Sequence, residues 1–97
     1  MTRDDAIGRL KAHESEFKRL GVEHLYLFGS TVRGEATEDS DIDLFFDHER
    51  GKIGLFELLD VQERVTTILG RATDVMTRRS IHPALKERIE GSAIRVF

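Results

Sequence analysis

Apolar residues recur along the chain with two different periods. Over residues 2–20, Ile7, Leu10, Phe17 and Leu20 fall on one stripe at helical spacing, and Thr2 with Asp5 three positions later reads as a variant capping box. Gly21 is placed to stop that helix. The run HLYLFG, residues 24–29, is short, apolar and aromatic, which suits a buried strand better than a helix. The chain then turns at Gly29-Ser30 and crosses a polar, acidic loop over residues 35–40. In Asp41-Ile42-Asp43-Leu44-Phe45-Phe46-Asp47 polar and apolar side chains nearly alternate, the period of a second strand.

Residues 48–54 hold two glycines with Arg50 and Lys52 and read as a connection. Over residues 55–69, Leu55, Leu58, Leu59, Val65, Ile68 and Leu69 keep the three-and-four spacing of one buried helical face, and Gly70 follows as a stop. Phe56 falls off that face, either as an ordinary exposed ring or as part of a contact surface. Residues 72–77 make a third strand with Asp74 inside it. Pro83 opens a helix to about Ile89, ended by Gly91, and the tail 93–97 can add an edge strand. The expected fold class is α+β: a mixed β-sheet flanked by helices, in the order α-β-α-β-α-β-α when the turn after Gly29 is counted as helical.

Composition narrows what such a fold can do. With 97 residues and 39% hydrophobic side chains, the chain can bury one modest core, so residues 1–97 are expected to form a single domain without a separate substrate-binding unit. The absence of Cys excludes a disulfide framework and a thiolate metal site, and fits a reducing cytoplasm. Arg3, Asp4 and Asp5 precede no apolar run, and no stretch approaches the roughly 20 apolar residues of a membrane span, so neither export nor a membrane is expected. Fifteen Lys and Arg against 18 Asp and Glu give a net charge of -3, and direct nucleic-acid binding is not expected. The histidines at 13, 24, 48 and 82 lack close metal-ligand spacing.

The candidate chemistry lies in carboxylates. Along the second strand Ile42, Leu44 and Phe46 point into the core, whereas Asp41, Asp43 and Asp47 point the other way. Carboxylates at i and i+2 can converge on Mg2+, which is usually held by one or two carboxylates together with substrate phosphates. An Asp-x-Asp alone equally describes a solvated acidic loop. Inside a patterned strand, however, two unneutralised carboxylates are costly to bring together, and a cation is their natural partner. Gly29 lets the backbone approach a ligand, and Ser30 begins a turn whose free amides, if helical, suit an anion. Arg33 can add a charge to the same phosphate or pair with an acid of the following loop. Asp74 interrupts an apolar strand. If that strand neighbours the Asp41 strand, three carboxylates meet beside a phosphate-binding turn, a constellation suited to two-metal phosphoryl chemistry. Arg78 and Arg79 can neutralise phosphate, contact a partner or be simply solvated, and Arg50 and Lys52 can cover a nucleotide. All four stay outside the site.

Gly29-Ser30, ten intervening residues and then Asp41-Ile42-Asp43, within the fuller string LFGSTVRGEATEDSDIDLFF, resembles the signature of the minimal nucleotidyltransferases of the polymerase-beta-like nucleotidyltransferase superfamily. The resemblance implies that superfamily's fold, with Gly29, Ser30 and Arg33 binding nucleotide and two Mg2+ ions held by Asp41, Asp43 and Asp74, the catalytic carboxylates. It implies transfer of NMP, foremost AMP from ATP, to a hydroxyl. Members of this length resemble the antitoxin half of HEPN/MNT toxin-antitoxin systems, in which a tyrosine of a HEPN-domain ribonuclease toxin is the acceptor. The alternative is a binding-only antitoxin that occludes its toxin without catalysis. Larger relatives carry an additional helical domain that this sequence lacks, so the acceptor, or a second copy of the chain, is expected to complete the site as a hetero- or homo-oligomer.

Overall fold

A computed structural model describes every residue except Ala36, Glu38, Asp39 and Lys52. Those four hold part of the expected acidic loop and one cation of the connection, which therefore lie outside the described residues. The elements are α1 (Arg3–Lys11), α2 (Glu14–Arg19), β1 (Val22–Phe28), α3 (Ser30–Arg33), β2 (Ile42–His48), α4 (Leu55–Leu69), β3 (Thr73–Thr77), a 3-10 turn (Arg78–Ser80), α5 (Pro83–Ser92) and β4 (Ile94–Arg95). The sheet order is β3-β2-β1-β4. β1 pairs antiparallel with β2 and with β4, while β2 and β3, joined through α4, run parallel. The mixed α+β architecture is the expected one.

Alternation along the strands divides the structure in two. One face carries Leu25 and Leu27 of β1 with Ile42, Leu44 and Phe46 of β2, covered by Ala6, Leu10, Phe17, Val61, Val65 and Leu69 from α1, α2 and α4. Phe97, from the tail beyond β4, packs into this core, its ring stacked on Phe17 at 6.1 Å. The opposite face has a smaller core of Phe28, Phe45 and Ile81, with Tyr26, Met76 and Ile89 packed against it. Phe45 is fully buried there although it occupies an outward position of the expected alternation. A residue on either face is buried once both faces are covered.

Three expected elements are corrected. The helix over 2–20 is two helices that break at Ala12-His13, because the stripe has no apolar residue between Leu10 and Phe17 to carry it through that turn. Its start is as expected, with Asp5 N–H donating to Thr2 Oγ1 and Thr2 N–H to Asp5 Oδ2. In α4 the buried positions are Val61, Val65 and Leu69, whereas Leu55 and Leu59 are 68% and 52% exposed beside the exposed Phe56. At 3.6 residues per turn Leu59 lies about 160° around the helix from Val61, so both cannot face the sheet. Finally, α5 runs through Gly91 to Ser92, since Gly91 lacks the positive φ that makes Gly70 a helix stop.

Candidate active site

The two strand pairings bring the site together. β1 ends opposite the start of β2, with Phe28 across from Asp43, and on the other side β3 places Asp74 in register with the same Asp43. Asp41 stands just before β2, exposed, and Asp74 is also exposed, while Asp43 is half-buried between the neighbouring strands. The adjacency on which the three-carboxylate site depends is therefore present in the fold.

Gly29 forms the turn above Asp43. Its φ of +82 lies in the left-handed region, and a Cβ built there would collide with Asp43 Oδ2 and sit 3.2 Å from its Cγ. Only glycine satisfies both the backbone angle and the close approach. Ser30 then opens the single helical turn α3, in which Arg33 N–H donates to Gly29 O at 3.2 Å and Glu35 N–H to Ser30 O at 2.9 Å. Gly34 ends the turn at φ +73. The turn after Gly29 is thus helical, and Gly29 at its start stands against the Asp43 carboxylate.

Burial, and then the charges of Asp74 and Asp41, push the Asp43 carboxyl above its ordinary range, with Arg33 acting the other way. Three carboxylates thus share one field that a cation would relieve. Among the described residues no group of three or more His, Cys, Asp or Glu side chains is placed to hold a metal ion by itself. The donor set nevertheless fits Mg2+: it is all oxygen, and this ion takes one or two carboxylates and completes its shell from water and phosphate.

A cleft of about 720 Å³ opens beside Asp43. Phe28, Gly29, Ser30 and Arg33 form one side, and Arg88, Ile89 and Ser92 of α5 form the other. Arg33 makes the expected pair with an acid of the following loop, its Nε donating to Glu35 Oε2 at 3.1 Å, and its side chain also lines the cleft. Arg71 donates from Nη2 to the carbonyls of Thr37 at 2.8 Å and of Ser40, which precedes Asp41, at 3.2 Å.

Arg78 is not a solvated cation. It donates from Nε and Nη2 to both oxygens of Asp47, at 2.6 and 3.1 Å, and from Nη1 to Glu90 at 2.6 Å. Its guanidinium lies 4.8 Å above the Tyr26 ring and 5.0 Å from that of Phe45. The two carboxylates raise its pKa further, so it stays charged, and it ties α5 to the sheet. The placements of Arg71, Arg78 and Arg88 carry no local sequence signal. Each of the first two finds its partners at least a dozen positions away, and Arg88 resembles any exposed helical arginine.

Comparison with known proteins adds to this geometry. Residues 10–96 match the model of the nucleotidyltransferase domain. The chain is 32% identical to the protein adenylyltransferase MntA of Thermococcus cleftensis over 99% of its own length and 97% of that protein's. A solved chain described as a minimal nucleotidyltransferase superposes with a TM-score of 0.83 at 33% identity, covering 97% of this chain and 95% of that one. A toxin-antitoxin structure solved with AMP-PNP has a chain of the same fold, at TM-score 0.72 and 18% identity, with coverage of 90% and 72%. No helix among the described residues is long and apolar enough to cross a membrane.

Proposed function

This chain belongs to the nucleotidyltransferase domain family, among its minimal members, and from that premise we propose that it moves AMP from ATP to a tyrosine hydroxyl of a HEPN ribonuclease toxin, acting as its antitoxin. The observation that carries the reading is the register of Asp43 with Asp74 beneath the Gly29 turn. Similarity to a protein adenylyltransferase supports the class of acceptor, and similarity of fold to a toxin-antitoxin chain solved with an ATP analogue supports the nucleotide and the partner.

In this reading Gly29 and Ser30 hold the triphosphate in the cleft, and Asp41, Asp43 and Asp74 would hold Mg2+. When bound, that ion supplies positive charge for the α-phosphate and a lowered pKa for the acceptor hydroxyl. Asp74, exposed at the mouth of the site, takes the hydroxyl proton. The acceptor oxygen then bonds to the α-phosphorus as its bond to the bridging oxygen breaks, and pyrophosphate leaves. A tyrosine, with an ordinary pKa of about 10, needs less activation than an alcohol. Because Asp74 and Asp41 face solvent, a folded protein can present its hydroxyl without entering an enclosed pocket.

The test is to incubate the chain with ATP, Mg2+ and its HEPN partner and weigh both proteins intact. The expected result is a partner heavier by one or more AMP units, and no such gain with Asp43→Asn. Silencing of the ribonuclease without a mass change, equally by wild type and Asp43→Asn, would replace transfer with occlusion.

A further inference from the structure

We propose that Arg88 of α5 is a substrate-contacting residue that grips the β- and γ-phosphates of the nucleotide from the wall of the cleft facing Ser30. The inference rests on the nucleotidyl-transfer reading and adds a residue that the Gly-Ser and Asp-x-Asp signature does not contain.

Arg88 lines the same cleft as Gly29, Ser30 and Asp43, yet its guanidinium has no hydrogen-bond or ion-pair partner among the described residues. The local reason is plain from the helix. Its neighbours at i−4, i−3, i+3 and i+4 are Ala84, Leu85, Gly91 and Ser92, none of them acidic, so no intrahelical pair can form. Glu90, the acid two positions on, is already held by Arg78 at 2.6 Å. Ile89 is anchored in the small core with Phe28 and Phe45. Arg88 is thus an uncommitted cation whose helix is fixed by the residues that follow it.

Its position selects the ligand group. The α-phosphorus must lie near the seam between Asp43 and Asp74, where the acceptor is deprotonated. The cleft extends from Asp43 toward α3 and α5, and Asp74 does not line it. The group that extends that way beneath the Ser30 turn is the leaving pyrophosphate. Arg33, on the near side, is partly neutralised by Glu35 at 3.1 Å, which leaves Arg88 as the unopposed positive charge of the cleft. A guanidinium matches two phosphate oxygens at once.

The experiment measures binding of α,β-methylene-ATP and of AMP, each with Mg2+, to the full chain and to Arg88→Ala, Arg88→Lys and Glu87→Ala. Arg88 is exposed and alanine is a strong helix former, so Arg88→Ala is expected to fold, as circular dichroism would check. The expected result is about tenfold weaker binding of the triphosphate by Arg88→Ala, with AMP affinity unchanged, partial recovery in Arg88→Lys and no change in Glu87→Ala. Unchanged triphosphate affinity, an equal loss for both ligands, or the same loss in Glu87→Ala would overturn the assignment. Failure of the wild-type chain to bind either nucleotide would instead overturn the transferase reading, and the role of Arg88 with it.

Discussion

The two faces of the sheet are built on different principles. Three helices bury one face, with side chains such as Leu10, Phe17, Leu44, Phe46 and Val65 removed completely from water. The other face carries α5, a helix with no buried residue, three buried apolar side chains of its own, and the Arg78 network with Asp47 and Glu90. The Gly29 turn, Asp43, Asp74 and Arg88 all belong to this thinner side. The proposed function would thereby separate stability from chemistry: the thick face supplies most of the apolar burial, and the thin one carries the polar groups proposed to meet nucleotide and acceptor. Phosphates and a protein hydroxyl require open access, and the exposed Asp41 and Asp74 provide it on this side.

The largest effect that would break or confirm this division is at Asp43. Asp43→Asn is expected to lower AMP transfer roughly a thousandfold or more, since it removes a carboxylate proposed to hold Mg2+, without lowering the apo melting temperature. The sign follows from linkage. The carboxyl is raised above 3.8 in the folded protein, so its ionised form opposes folding above the folded pKa, and that penalty disappears as pH falls toward the unfolded value. Asp43→Asn is therefore expected to melt no lower than wild type at neutral pH and to lose any advantage on acidification. A fold weakened by this substitution at neutral pH would contradict the electrostatic account.

Next in size is a paired comparison by urea unfolding. Phe46→Ala, on the thick face, is expected to cost about 3–5 kcal/mol, whereas Ile89→Ala, half-buried on the sheet-facing side of α5, is expected to cost about 1–2 kcal/mol. Equal costs would erase the distinction between the faces. Smaller still is Arg78→Met, which keeps most of the packing on Tyr26 and Phe45 but releases Asp47 and Glu90. These partly exposed groups are screened by solvent, so the expected loss is about 1–2 kcal/mol. Hydrogen exchange should then quicken in α5 before it does in α4.

How much of this was legible in the sequence depended on the distance over which each feature is encoded. The strand around Asp43, the limits of α4 and the capped start of α1 are written in neighbouring residues and were readable. The break at Ala12-His13 and the exposed Leu55 and Leu59 were not, because a stripe of apolar letters does not say which of its members meet the sheet. The register of Asp43 with Asp74 could be stated only as a condition, since it depends on a parallel crossover through α4. Arg78 was unreadable for a similar reason: Asp47 lies 31 positions before it and Glu90 lies 12 after. Arg33 pairs with Glu35 two positions on, the local alternative that neighbouring residues could show, while its place on the cleft depends on the fold.

In the proposed mechanism Asp43 and Asp74, joined only by strand register, act together on one divalent cation. Calorimetric titration of Mg2+ into the chain saturated with α,β-methylene-ATP tests it most directly. Asp74→Asn and Asp43→Asn should each weaken the Mg2+ response at least about tenfold, while Asp60→Asn, exposed on α4, should match wild type. A wild-type response from Asp74→Asn would contradict the account.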